Sequence, residues 1–303
     1  MMKQAIIITG ATSGMGRYAA RNVANDKITI LVARNQDKLN DVKEEITAQG
    51  GTAETIVCDF SDLASVKRAA AEIKALGLPI VGLANNAGIQ TSSTAKSKQG
   101  FDLTFATNYL GPFLLTTLLL PNLEVGARVE FTASAVEDPD RKFATRAGFR
   151  GSRLVTVADA AQGIYRKGGS TTAGFDAYAT SKQCVLAASL VLAKENPALK
   201  INALEPGMTL GTNLGISDAN AVLKFVLKYG TKPLQWLSPL LKNFSTPRVA
   251  GKLISKIVTS VDETGAYFDE KGGLMQPSVQ MQDPEYAQEI VAQTRALLQE
   301  VEY

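Results

Sequence analysis

The chain has no histidine. That excludes a Ser-His-Asp triad, a histidine general base and histidine metal ligands. Cysteine is scarce: 303 residues hold two, Cys58 and Cys184, far apart in sequence. Two thiols cannot build a zinc cluster or a disulfide framework, so reduced thiols in a cytoplasmic protein are the expectation. Charge of one sign is lacking too. The chain carries 32 basic and 29 acidic residues and a net charge of +3, too even for a nucleic-acid surface. Long apolar runs are few. The stretch Leu110 to Leu120 is interrupted by Gly111, Pro112, Thr116 and Thr117 and falls short of the roughly 20 residues a membrane helix needs. No transmembrane segment is expected. The start runs directly into Ala5-Ile6-Ile7-Ile8-Thr9-Gly10, which is not the pattern of a signal peptide.

What is there is a rhythm. Short β-rich runs at Ile6–Thr9, Ile28–Ala33, Ala53–Val57, Ile80–Ala84 and Arg128–Ala133 alternate with helical stretches at Gly14–Ala24, Gln36–Gln49 and Asp62–Ala75, and with a long one ending at Leu120. Asp37 and Asp62 suit helix N-termini. Continuous apolar strands separated by helices predict a parallel sheet buried on both faces. The expected fold class is therefore α/β, a doubly wound, Rossmann-like parallel sheet, forming one domain over residues 1–303. Residues 137–176 break the rhythm and are expected to be an insertion. A helix at 176–195 and a strand at Lys200–Leu204 follow. Residues 208–246 would form a substrate lid. A helix near 246–259, a strand near 265–268 and a C-terminal extension over 269–303 complete the chain.

The first strand leads into Thr9-Gly10-Ala11-Thr12-Ser13-Gly14-Met15-Gly16. Glycines there permit a tight turn and close backbone approach, and the following helix N-terminus attracts a pyrophosphate. The second strand ends Val32-Ala33-Arg34. Where dinucleotide folds often carry an acid for the ribose hydroxyls, this chain has Ala33 and then a guanidinium. That combination suits a 2′-phosphate and predicts NADP(H) rather than NAD(H). Arg17, in the first turn of the helix, either assists that phosphate or faces outward.

Tyr178 and Lys182 stand four positions apart in Tyr178-Ala179-Thr180-Ser181-Lys182. On a helix this spacing puts both on one face, where an ammonium would bring a phenol's pKa toward neutrality. The same spacing recurs at Tyr267 and Lys271. Flanking glycines predict a strand and turn there, and the Tyr178 copy alone is expected to be helical.

The Gly10-x-x-x-Gly14-x-Gly16 turn, Asp59, Asn85-Asn86-Ala87-Gly88, Asn108, Ser134, Tyr178-x-x-x-Lys182 and Pro206-Gly207 occur in this order. The ordered set resembles the short-chain dehydrogenase/reductase family over roughly residues 5–260. The surroundings of Asn108 are similar to its retinol dehydrogenase and protochlorophyllide reductase branch. The resemblance implies that Gly10, Thr12, Ser13, Gly14, Met15 and Gly16 cradle the cofactor and that Asp59 and Phe60 contact adenine. Asn85, Ala87 and Gly88 would pass beside the adenosine ribose, and Pro206, Met208 and Thr209 would border the nicotinamide. Ser134 would bind a carbonyl oxygen, with Thr132 as the fallback. Tyr178 would supply the proton. Lys182 would lower the Tyr178 pKa and bind the nicotinamide ribose, and Asn108 would both hold a water on the proton path and satisfy backbone groups at a helix irregularity.

The expected reaction is hydride transfer between a nicotinamide and a small-molecule carbonyl or alcohol. Two regions would select the substrate. The basic run Arg141, Lys142, Arg146, Arg150 and Arg153 either meets an acidic substrate or lies in a solvated loop. The apolar stretch Val222 to Tyr229, with Trp236 and Leu240, predicts a greasy lid and a bulky apolar substrate. A homodimer is the expected assembly by the same resemblance. The alternative is a nucleotide-binding regulator on this fold, without turnover.

Overall fold

The computed structural model describes residues 3–24, 26–92, 95–209 and 244–301. The expected lid residues Val222 to Tyr229, Trp236 and Leu240 lie outside that set. Seven strands pair in parallel in the order β3-β2-β1-β4-β5-β6-β9. They are β1 Ala5–Thr9, β2 Ile28–Ala33, β3 Thr52–Val57, β4 Ile80–Asn85, β5 Leu123–Thr132, β6 Lys200–Leu204 and β9 Tyr267–Phe268. The first three strands step one way from the centre, and the chain then crosses back to β4 and steps the other way. The order reverses between β1 and β4, where a doubly wound sheet opens a crevice at its carboxyl edge.

Helices cover both faces. On one, α1 (Gly14–Val23), α2 (Gln36–Ala48) and, near the C-terminus, α9 (Pro247–Ser260) pack against Ile6, Ile8 and Leu31. On the other, α3 (Leu63–Ala75), α5 (Gly111–Leu119), α8 (Phe175–Glu195) and α10 (Pro284–Glu300) close over Ile7, Ile30 and Val129. Alternate residues of one strand thus serve two cores, which is why these strands are apolar throughout. Asp62 caps α3 by accepting from Ala64 N at 3.1 Å. The cap of α2 is Asn35, not Asp37: its side chain accepts from Lys38 N at 2.9 Å, and Asp37 lies in the first turn. An amide oxygen one residue outside the helix reaches the free N–H groups that a side chain inside the turn cannot.

The stretch before Leu120 is more continuous than its interruptions suggest. A helical turn α4 (Leu103–Phe105), a π turn (Ala106–Leu110) and α5 form one path. Leu103–Asn122, at 20 residues, is long and apolar enough to cross a membrane, which corrects the expectation drawn from Leu110 to Leu120 alone. Inside this fold 72% of its most apolar window is buried. It is the partner of α3 and α8 in the core, and its hydropathy is what a helix covered on most sides requires.

Residues 137–176 are not featureless. They hold two short helices, α6 (Lys142–Arg146) and α7 (Val157–Gln162). Tyr286 OH donates to Gln183 Oε1 at 3.1 Å, so α10 lies along α8. Residues on either side of 210–243 meet as two short parallel strands, β7 (Met208–Thr209) and β8 (Phe244–Ser245).

Candidate active site

The glycine turn and the end of β4 are fastened together at the point where the strand order reverses. Thr9 Oγ1 accepts from Asn86 N at 2.9 Å and Ala87 N at 3.0 Å, and donates to Ala84 O at 3.0 Å. Asn86 Nδ2 donates back to Thr9 O at 2.9 Å. Gly10 is left-handed at φ +66°, and a Cβ on Gly16 would lie 2.4 Å from Gly10 O. Only glycine can occupy these two places, and their packing brings the start of α1 up to the turn. Ser13 is the N-cap of α1, yet its side chain makes no capping hydrogen bond, and no acid stands in the first turn. This ten-residue helix therefore presents free backbone N–H groups and uncompensated positive potential, which fits a pyrophosphate. Thr12, Ser13 and Met15 lie on this opening. Thr209 Oγ1 lies 3.5 Å from Met15 Sδ, bringing Pro206, Met208 and Thr209 beside it.

The two arginines near the turn differ. Arg17 Nε donates to Glu45 Oε2 at 3.2 Å and is bound to α2. Arg34 is exposed at the end of β2, and its side chain has no hydrogen bond or ion pair among the described residues. Asp59 Oδ1 accepts from Ser61 N at 2.9 Å, while Phe60 is buried in the core on the α3 side. The Asn85 side chain turns into the same core and donates to Thr116 Oγ1 at 2.9 Å. At this strand end it is thus the backbone from Ala87 to Gly88 that lines the crevice.

Residues far apart in sequence converge at the other end of the crevice. Asn108 sits in the π turn and exchanges hydrogen bonds with Ile89, accepting from its N at 2.7 Å and donating to its O at 2.9 Å. Its amide also reaches Ser181 Oγ at 3.2 Å. Lys182, 5% exposed, donates to Thr132 O at 2.6 Å, and its Nζ lies 5.5 Å from the centre of the Tyr178 ring. Ser134, just past β5, lies beside Tyr178.

Burial brings the Lys182 ammonium down to about 8, against the upward pull of Glu130 and Glu205. Tyr178 is pushed up, first by burial and then by the Glu205 carboxylate; the Ser134 side chain opposes them. This corrects the expectation of a phenol held low by its lysine. The Tyr178 ring is almost wholly covered, and removing a charged form from water outweighs a neighbouring cation whose donor is already given to a carbonyl.

The Tyr178 copy of the spacing lies in α8, the other copy in β9 and the turn after it, as predicted. A scan of the sequence against protein families matches the short chain dehydrogenase model over residues 4–139. The chain belongs to the short-chain dehydrogenase family. It is 30% identical to the polyprenol dehydrogenase of Danio rerio over 211 residues, covering 67% of this chain and 60% of that protein. It is 39% identical to the polyprenol dehydrogenase of Mus musculus over 157 residues, 51% of this chain and 41% of the other. The chain thus spans less than two thirds of the length of these relatives. The L-sorbose reductase of Gluconobacter frateurii, solved with NADPH and L-sorbose, shares the fold with a TM-score of 0.66 at 18% identity, over 91% of this chain and 97% of that one.

Several residues that build the site carry no obvious motif. Glu205 lies behind Ser134. Phe149, just after α6, stacks on Phe175 with ring centres 4.0 Å apart and lies 6.2 Å from Tyr178. Two cations of the basic run are spent on neighbouring backbone and a third on a carboxylate. Arg150 donates to Phe149 O at 2.9 Å, Arg153 to Arg166 O at 3.3 Å, and Arg141 pairs with Asp138 at 3.1 Å. The solvated-loop reading of the basic run is the one this geometry favours. Near Glu205 the signal was only an acid between the apolar strand end Ala203-Leu204 and Pro206; for Phe149 there was none.

Proposed function

We propose that this protein is an NADP-dependent oxidoreductase that interconverts a carbonyl and an alcohol on a bulky apolar small molecule. The observation that carries the reading is the convergence of Ser134, Tyr178, Lys182 and Asn108 at one end of a crevice whose other end is an open helix N-terminus. NADPH, when bound, supplies the hydride. The free amides after Ser13 would hold its pyrophosphate, and the exposed Arg34 its 2′-phosphate. Ser134 donates to the carbonyl oxygen and Tyr178 gives that oxygen its proton as charge develops. Lys182 and Asn108 fix the phenol's surroundings, and Asn108 ties them to the Gly88–Ile89 backbone. The rings of Phe149 and Phe175 beside Tyr178 and the edge-on pair Phe143–Phe244, 5.5 Å apart, support an apolar substrate. The names of the two polyprenol dehydrogenases point the same way. The cytoplasm is the proposed compartment, supported by two buried free thiols, Cys58 and Cys184.

Tyr178→Phe tests the chemistry. NADPH oxidation in the presence of long-chain aldehydes and ketones should fall by roughly 10²–10⁴, the usual worth of a general acid, with NADPH binding retained. Unchanged turnover would remove Tyr178 from the reaction. A chain that binds NADPH but turns over none of these substrates would be the regulator instead. Arg34→Ala tests the cofactor: a weakening of about tenfold for NADPH, the scale of one charge-assisted contact, against little change for NADH. Equal weakening of both would discard the phosphate role.

A further inference from the structure

Glu205 follows β6 and is 9% exposed. Its Oε1 accepts from Gly207 N at 2.8 Å and its Oε2 from Ala135 N. Those two backbone bonds hold the carboxyl beside Ser134, the residue before Ala135, and the Ser134 side chain acts on both Glu205 and Tyr178. Tyr178 and Lys182 face it from α8, and Tyr267 and Glu270 from β9 and the turn beyond.

A serine hydroxyl has one proton to give and two lone pairs to receive. An ionised Glu205 is the strongest acceptor in its reach and takes that proton in a charge-assisted bond. The oxygen of a carbonyl substrate would then meet a lone pair where it needs a donor. With Glu205 protonated, the direction reverses: the carboxyl donates to Ser134 Oγ, and the serine proton is free to point into the crevice. The two backbone N–H groups keep their acceptors in either state.

We infer that Glu205 is a positioning residue whose protonated carboxyl donates to Ser134 Oγ and aims the Ser134 proton at the substrate oxygen, and whose ionisation withdraws that proton. No bond to carbon changes in this switch, and the proton released is exchanged with water. The inference rests on Ser134 as the donor to a carbonyl. Burial pushes the Glu205 carboxyl up, against the opposing hydrogen bonds from Ala135 and Gly207 and the Ser134 side chain, and the Glu270 charge adds to the rise.

The first test needs no turnover. In cofactor-free protein labelled with 13C at the glutamate side-chain carboxyls, the signal absent from Glu205→Gln should titrate above the ordinary glutamate value of about 4.3. Ser134→Ala should move that signal further up and leave the others in place. A Glu205 that titrates near the ordinary value, or does not respond to Ser134→Ala, would overturn the inference. One backbone N–H loses its acceptor in Glu205→Gln, so folding is checked by NADPH binding; if the variant does not fold, the signal moved by Ser134→Ala makes the assignment. The second test is the pH profile of kcat/KM for carbonyl reduction. The wild type should lose rate as pH rises through the Glu205 titration. Glu205→Gln, whose amide still donates to Ser134, should lack that limb, and a limb that persists in it would sink the idea. A high-titrating Glu205 in a chain with no reductase activity would refute the role of Ser134, not the protonation of Glu205.

Discussion

Two pairs in this molecule share one spacing and almost nothing else. Tyr178 and Lys182 lie one turn apart on α8, both buried, the ammonium bonded to the end of β5. Tyr267 is also buried, but it sits in β9, and Lys271 lies beyond it in an exposed turn. The Tyr267 hydroxyl has no hydrogen-bond partner among the described residues. Four positions on a helix advance about 6 Å along one face, whereas four positions in extended chain run more than twice as far. Spacing becomes chemistry only where the backbone keeps the two groups in register and a third element, here β5, fixes one of them.

The sharpest way to break the comparison is to truncate both lysines. Lys182→Ala should reduce turnover by roughly the 10²–10⁴ of the proton-transfer step it supports, whereas Lys271→Ala should leave both turnover and stability within about 0.5 kcal/mol. Comparable losses would mean that the helical setting is not what distinguishes the pairs.

A second difference lies behind the lysines. Glu130, wholly buried two residues before Thr132, is pushed up to about 8 by burial, against the Thr132 hydrogen bond and the Lys182 charge. The folded chain therefore keeps a proton that the unfolded chain releases near 4.5. Stability from this group is complete below about 4.5 and is lost as pH rises to about 8, a spread worth a few kcal/mol. Glu137, pushed up to about 7, adds a loss of the same sign over part of this range. Denaturant unfolding across pH should show this decline, and Glu130→Gln should flatten much of it. An unchanged slope in the variant would mean that Glu130 is ionised in the folded chain.

The smallest effect belongs to Tyr267→Phe. Removing a hydroxyl that is buried without a partner should be neutral or stabilising by up to about 1 kcal/mol, read as an unchanged or raised Tm. A loss of more than that would show a bond the described residues do not account for.

The sequence disclosed most of the sheet, because strands that serve two cores must be apolar throughout, and it disclosed the Tyr178 helix for the opposite reason, a sustained helical run. It did not disclose where β5 begins. That strand starts at Leu123, through the exposed Val125 and a register shift against β4, where neither face is covered enough to impose a pattern. The irregularity at Asn108, a π turn, was legible only through the family resemblance, since the wider turn leaves no compositional mark. At the site, glycines, Tyr178 and Lys182 were legible because each is confined by backbone geometry or spacing. Glu205 was not, because an acid sealed inside a fold and an acid on its surface are written with the same letter.

The knot around Thr9 has a further consequence. One hydroxyl takes two N–H groups from the end of β4 and returns its proton to the same strand, so the glycine turn and the Asn86–Ala87 backbone share a joint. Two residues on, Ile89 is held by Asn108, which reaches Ser181 beside Lys182. The place where a cofactor's phosphates would settle and the place where a proton would be handed over are thus parts of one short truss. Displacing either end displaces the other, and the alignment of carrier with proton donor is set by the frame before any ligand arrives.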